Sequence, residues 1–209
     1  MSNDFAEQIR RFAAACILPV LCGCSFGPKR VEVPQIDAST AASAAIEQYD
    51  SDGDHSISKS ESAACPALKG SFELYDSNQD DQLSQGEVQS RLDAMLGSGI
   101  GRMPCICIVY ANNSDHPIEG AKVQLVPESF LGEAIQPGEG TTNHRGVAKP
   151  VTLNAPPGLP GIEFGLYRVL ITHDTLEIPA KYNTATELGF ELSPLERNRD
   201  TAEFRLKLR

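Results

Sequence analysis

Two twelve-residue stretches place oxygen-bearing side chains at the same offsets. The first, Asp50 to Glu61, reads DSDGDHSISKSE, and the second, Asp76 to Glu87, reads DSNQDDQLSQGE. Asp50, Asp52 and Asp54 answer to Asp76, Asn78 and Asp80, and Glu61 answers to Glu87. Ser56 and Gln82 hold position 7, Ile57 and Leu83 position 8, and Ser58 position 9 of the first stretch. Hard oxygen donors at positions 1, 3 and 5, a backbone carbonyl at 7, a water-mediated contact at 9 and a bidentate glutamate at 12 wrap one Ca2+ ion. The chemistry indicated is cation binding. A general acid–base role for these aspartates would need a pocket and shifted pKa values, and the repeat already gives the loop acids another purpose.

Around such loops the sequence must supply helices, which makes the stretch a pair of EF-hands. Alanines at 41, 42, 44 and 45, with Ile46 and Tyr49 three apart, predict an incoming helix over Ala38–Tyr49. Only fourteen residues separate the loops. Pro66 interrupts them and Gly70 loosens them, so two short helices are expected, over 59–64 and 67–75. A last helix, 85–96, presents Val88, Leu92 and Leu96 as one apolar stripe. The glycine usual at position 6 is replaced by His55 and Asp81. Both types tolerate positive φ at a cost of about 1 kcal/mol. Loop two carries Asn78 in place of a second acid, so loop one is expected to bind more tightly. The compact spacing is similar to EF-hand pairs of secreted bacterial proteins rather than to cytosolic sensors. Module affinities outside cells run to about 10⁻⁴–10⁻³ M, which suits a structural ion.

The net charge of −10 over 209 residues is unevenly spread. Between Asp37 and Asp93, twelve Asp/Glu stand against Lys59, Lys69 and Arg91. The remainder is close to neutral, which excludes the basic footprint of a nucleic-acid-binding protein. A hydrophobic content of 41% and a charged content of 22% describe a folding chain.

The first residues look like an export signal. Arg10 and Arg11 precede an apolar run from Phe12 to Leu21, too short to cross a bilayer as a helix. The run ends Leu21-Cys22-Gly23-Cys24, which resembles the lipobox of bacterial lipoproteins. That resemblance implies a signal peptide over 1–23, a lipidated Cys24, and a membrane partner reached through it on the cell-envelope side. Residues 24–36, largely Gly, Pro and charged types, then read as a tether.

After Gly97-Ser98-Gly99-Ile100-Gly101, taken with Arg102 and Met103 as a hinge over 98–103, the composition changes to short β-type runs. Strands are expected at Cys105–Tyr110, Ala121–Val126, Gly146–Thr152, Gly165–Thr172, Thr186–Leu192 and Ala202–Leu208, with a short one near Ala134–Gln136. In the last full run Phe204, Leu206 and Leu208 alternate with Glu203, Arg205 and Lys207, the period of a half-buried strand.

HPIEGAKVQLVPESFLG (116–132), GEGTTNHRG (138–146), GLYRVLIT (165–172) and IPAKYNTATELGFEL (178–192) resemble transthyretin-like or carboxypeptidase-regulatory-like domains. Such domains are found on exported proteins, planctomycete-type lipoproteins among them. The resemblance implies a seven-stranded prealbumin-like β-sandwich over 104–209 that serves adhesion, spacing or carbohydrate contact without catalysis. The hydrolase branch of that family ends in Tyr-Arg-Gly-Ser, whereas this chain ends FRLKLR.

The expected architecture is therefore a two-domain α plus all-β chain: a helical pair over 37–97, the hinge, and the sandwich. Its expected role is a Ca2+-stabilised, membrane-anchored envelope protein whose partner is another envelope protein or a glycan. The alternative is a calcium-dependent carbohydrate- or protein-recognition lipoprotein with a defined ligand on the β-domain, with Tyr110, Tyr167 and Tyr182 as its sugar-facing candidates. No enzyme is expected: His55, His116, His144 and His173 are scattered, and neither an HExxH nor a GxSxG motif occurs. Cys105 and Cys107 share a strand face with poor geometry for bonding each other. Cys65 bridged to either, or three buried thiols, are the two states expected.

Overall fold

In chain order the described residues form α1 (Ala38–Tyr49), β1 (Ser56–Ser58), a 3₁₀ turn (Glu61–Ala64), α2 (Pro66–Tyr75), β2 (Gln82–Ser84) and α3 (Gln85–Gly97). There follow β3 (Ile106–Ala111), β4 (His116–Pro117), β5 (Lys122–Pro127), β6 (Gly138–Thr141), β7 (Val147–Ala148), β8 (Val151–Thr152), β9 (Gly165–Thr172), β10 (Gly189–Leu192) and β11 (Thr201–Leu206). This computed structural model describes residues 31–208 apart from 113–114, 154, 156–157, 159 and 198–199. The expected signal peptide, Cys24 and the start of the tether lie outside the described residues. The architecture is mixed α and β with a large β component.

Local chemistry sets the helix ends. The Asp37 carboxylate accepts the Thr40 N–H at 2.8 Å, capping α1. Pro66, read from sequence as an interruption, is the first residue of α2, where its missing N–H costs nothing. Ser84 and Glu87 cap α3 reciprocally. The buried stripe of α3 is Val88, Leu92 and Met95, with Leu96 only half buried. The third contact thus falls at i+7 rather than i+8, as a period of 3.6 permits.

One sheet runs in the order β10-β9-β5-β6-β8, antiparallel throughout; the other runs β11-β3-β4, with β7 also paired to β3. The single strand expected over Gly146–Thr152 is two. β7 pairs with β3 and β8 with β6, and the chain changes sheet at Lys149-Pro150. A proline without an N–H suits a corner where ladder bonding stops. No strand forms at 134–136; β6 forms instead at Gly138–Thr141, at the start of the GEGTTNHRG segment, where no strand was expected. Gly140 can take that place because a Cβ there would meet the Lys149–Pro150 backbone. β11 pairs with β3 in parallel, with Phe204 opposite Val109, and its alternation is as expected, Ala202, Phe204 and Leu206 buried.

Helices and sheets share one buried apolar cluster, running from Ile36 to Leu206, and Val31–Arg209 form one compact unit. α2 lies on β9 and β10. Gly189 touches the Pro66–Ala67 backbone, where a Cβ would have no room. The expected hinge is held from both sides: Gly101 is buried against the Glu32 backbone and the Val31 side chain, and Met103 exchanges backbone hydrogen bonds with Ile162 at 3.0 and 3.1 Å. Arg91 of α3 is paired with Glu191 of β10, which is fully buried, and donates at 2.8 Å to Glu196.

Candidate metal centre

α1 delivers Asp50 at its C-terminal end, and the loop then folds back on itself through its own acids. Asp50 accepts the N–H groups of Gly53 at 2.7 Å and His55 at 2.9 Å. Asp54 accepts the Ser56 N–H at 2.9 Å. Glu61, at the start of the 3₁₀ turn, accepts the Ser51 N–H at 2.7 Å on one oxygen and the Ser58 N–H at 2.9 Å on the other. Loop two repeats this set. Asp76 accepts from Asp80 at 3.1 Å and Asp81 at 3.0 Å, Asp80 from Gln82 at 2.9 Å, and Glu87 from Ser77 and Ser84, each at 3.0 Å. The two loops are joined back to back: Ile57 lies opposite Leu83 in the β1–β2 pairing, and both are fully buried. Ser56 Oγ donates to Gln82 Oε1 at 2.9 Å across the same junction.

Both position-6 residues take the left-handed backbone that a tight loop demands, His55 at φ 69 and Asp81 at φ 63. Gln79, at position 4 of loop two, does so as well, at φ 61 where loop one has Gly53 at φ 80. Asp81 stands outside the ligand pattern and is instead paired with Lys59, which also binds Glu73 at 3.0 Å. These two partners raise the Lys59 ammonium above its ordinary pKa.

The loop glutamates are tuned for charge. Hydrogen bonds from the Ser58 N–H and hydroxyl, then from Ser51, bring the Glu61 carboxyl down to about 2. Burial pushes Glu87 upward, but bonds from Ser84, Ser77 and Asn78 outweigh it and leave that carboxyl below its usual value. Both glutamates are thus anionic at neutral pH, as bidentate cation ligands must be.

Oxygens of Asp50, Asp52 and Asp54 come within 4.8 Å of one another. Loop two lacks this triad of acids. Asn78 turns its amide nitrogen to Asp80 at 2.9 Å, as the hydrogen-bond network assigns it. The residues present fit a hard cation: carboxylate and carbonyl oxygens from one loop, with no nitrogen or sulfur donor among them. In loop one Ca2+ would be held by Asp50, Asp52, Asp54, Glu61, the Ser56 carbonyl, and Ser58 through water. In loop two the set is Asp76, Asn78, Asp80, Gln82 and Glu87. Sequence reasoning missed Ser51, Ser77 and Ser84, which orient the two glutamates. Ser84 stands at the same offset as Ser58, and that was the available signal.

The remaining candidates do not assemble. Tyr167 is fully buried and donates to the Glu163 carbonyl at 2.7 Å. Tyr182 is buried and accepts from the Lys207 N–H at 2.9 Å. Tyr110 lies on the four-stranded sheet under Arg205. The three tyrosines therefore form no sugar-facing row. Cys65, Cys105 and Cys107 are free and buried, so the bridge from Cys65 is not formed. Burial and the neighbouring Glu128 push the Cys65 thiol up to about 12. Among the described residues no helix is long and apolar enough to cross a membrane. No family model, characterised protein or solved structure matches the chain.

Proposed function

We propose that this protein is a lipid-anchored, calcium-binding component of the cell envelope. Its EF-hand pair is stabilised by Ca2+, and a seven-stranded prealbumin-like β-sandwich serves as a non-catalytic binding or scaffolding module. The observation that carries the reading is the duplicated loop, in which Glu61 and Glu87 close equivalent oxygen-lined turns joined at Ile57 and Leu83. The shared apolar cluster favours a structural ion over a switch, because the helices that hold the loops also pack on the sheets. At a Ca2+ concentration about 20 times Kd, each occupied site would add about 1.8 kcal/mol of stability. The anchor rests on the Leu21-Cys22-Gly23-Cys24 resemblance.

Calorimetric titration with Ca2+, paired with thermal melting, tests the reading. Two binding events and a melting temperature that rises with Ca2+ are expected. No heat and no shift at millimolar Ca2+ would overturn it. Mass spectrometry of the N-terminal peptide from membranes tests the anchor, and an unmodified Cys24 removes that part alone.

A further inference from the structure

We infer that the cleft between the start of α2 and the outer face of the five-stranded sheet binds a carboxylate-bearing sugar residue, a uronic acid, through Arg168. The inference deepens the reading of the sheets as a non-catalytic binding module and rests on it. The cleft has a volume of ≈ 260 Å³ and is lined by Pro66 of α2, Val126 of β5, Arg168 and Leu170 of β9, and Thr184 and Thr186 beyond them. Along β9, Tyr167, Val169 and Ile171 are buried, so alternation places Arg168 and Leu170 on the other face. Val126 stands opposite Arg168 in the β5–β9 register. Thr186 Oγ1 donates to the Val169 carbonyl at 2.6 Å, which holds the far wall against the strand. Junctions between packed substructures are where small-molecule sites form preferentially.

The lining chooses the ligand. Among the described residues Arg168 is the one charged side chain on the cleft wall, and it is 46% exposed. Its Nε lies 3.5 Å from Glu128 Oε2, a longer approach than a hydrogen bond. The terminal guanidinium nitrogens have no partner among the described residues. The buried acid therefore stands beside Nε and leaves the planar fork to a ligand. Two parallel N–H donors match the two oxygens of a carboxylate, and one arginine without a second cation suits a monoanion better than a phosphate. Glu128 does not cancel the site, because it already accepts from the Tyr49 hydroxyl and burial favours its neutral form. Pro66, Val126 and Leu170 offer apolar surface to the C–H face of a ring. Thr184 is exposed beside them, with its hydroxyl unbonded among the described residues and open to a ring hydroxyl. An apolar wall with a few placed polar groups is the usual make-up of a small-molecule site.

Calorimetric titration of the calcium-free full chain with sodium glucuronate, in a buffer without carboxylates, tests the site. Glucose, the same ring lacking the carboxylate, is the comparison. Saturable binding of one glucuronate, and none of glucose at the same concentrations, is expected. Arg168→Met keeps the stem and removes the fork, and should weaken glucuronate by about tenfold or more. Arg145→Met, at an exposed arginine outside the cleft, should leave binding unchanged. Arg168→Met also strips Glu128 of its counter-charge, so melting curves check that it folds. Glu128→Gln combined with Arg168→Met gives a second non-binding variant without the stranded acid, whereas Glu128→Gln alone should still bind. No glucuronate binding by the folded parent, equal binding of glucose, or binding that survives loss of Arg168 overturns the proposal. Ca2+ is absent throughout, so this result and the calcium titration stand or fall separately.

Discussion

Tyr49, the residue before Asp50, donates its hydroxyl to Glu128 Oε2 at 3.3 Å, across 79 positions of sequence. The contact joins the end of α1, where loop one begins, to the residue that follows β5. Phe130 meets the Tyr49 ring edge-on at 6.2 Å, and Ser129 donates to Gln48 at 2.8 Å. Loop one is thereby fixed to the sheet by its entry helix, while α3 is fixed to β10 through Arg91 and Glu191.

Glu128 is a buried carboxylate whose Oε1 has no hydrogen-bond partner among the described residues. Burial raises its pKa, only partly opposed by Arg168 at 3.5 Å and by hydrogen bonds with Cys65 and Tyr49. A raised folded-state value means that charge on this group opposes folding. The cost is absent below the unfolded value, about 4.3, and appears as pH rises through the folded one. Glu128→Gln keeps the acceptor for Tyr49 and removes the charge. It is expected to raise the melting temperature at pH 7 and to leave it unchanged near pH 3. A lower melting temperature at pH 7 would show that the Arg168 pairing outweighs the burial cost.

Gly189 is the point where β10 meets the first turn of α2, backbone against backbone. Its φ is not in the left-handed region, so an alanine there would suffer crowding rather than backbone strain. Gly189→Ala is expected to cost about 1–3 kcal/mol, the range for overpacked sites, and to lower the melting temperature with and without Ca2+. Gly97→Ala, whose Cβ would meet open space, is the control and should be close to neutral. Equal melting temperatures for the two variants would refute the close approach.

The duplicated loops were legible because their signal is local: residue type at fixed offsets survives any tertiary context. His55 and Asp81 even take the backbone that their position requires. What escaped the sequence depends on partners distant in the chain. Nothing near Pro150 says that the strands on either side belong to different sheets. Nothing in β11 announces a parallel neighbour, since its alternation fits either direction. Gly101 and the 98–103 run look flexible from composition, because glycine serves both loose chain and close backbone contact. The same ambiguity hid Gly189. Gly138–Thr141 was not expected as a strand, since two of its four residues are glycines, and β-propensity yields to packing where neighbouring backbones come close.

The two loops should differ in strength. Loop one brings three aspartate carboxylates within 4.8 Å, whereas in loop two Asn78 is engaged with Asp80. Fewer charges at the ion weaken affinity. Glu61→Gln is therefore expected to weaken the tighter calorimetric event and Glu87→Gln the weaker one, each by about tenfold to a hundredfold, since ligand charge is one of the terms that tune these loops. A greater loss from Glu87→Gln reverses the ordering.

Acid should cost the calcium-free protein most at loop one. The Glu61 carboxyl is brought down to about 2 by the Ser58 and Ser51 donors. A depressed folded-state value contributes stability that is present above the unfolded value, about 4.3, and lost as pH falls towards the folded one. Melting temperatures of the calcium-free chain are thus expected to decline between about pH 5 and pH 2. Glu61→Gln should flatten that decline, because the amide keeps one acceptor oxygen and has no proton to take up in this range. Because Glu61 is only partly buried in the folded chain, the decline should also be shallower in high salt. An acid profile identical in the parent and in Glu61→Gln would place the acid-sensitive contact elsewhere in the fold.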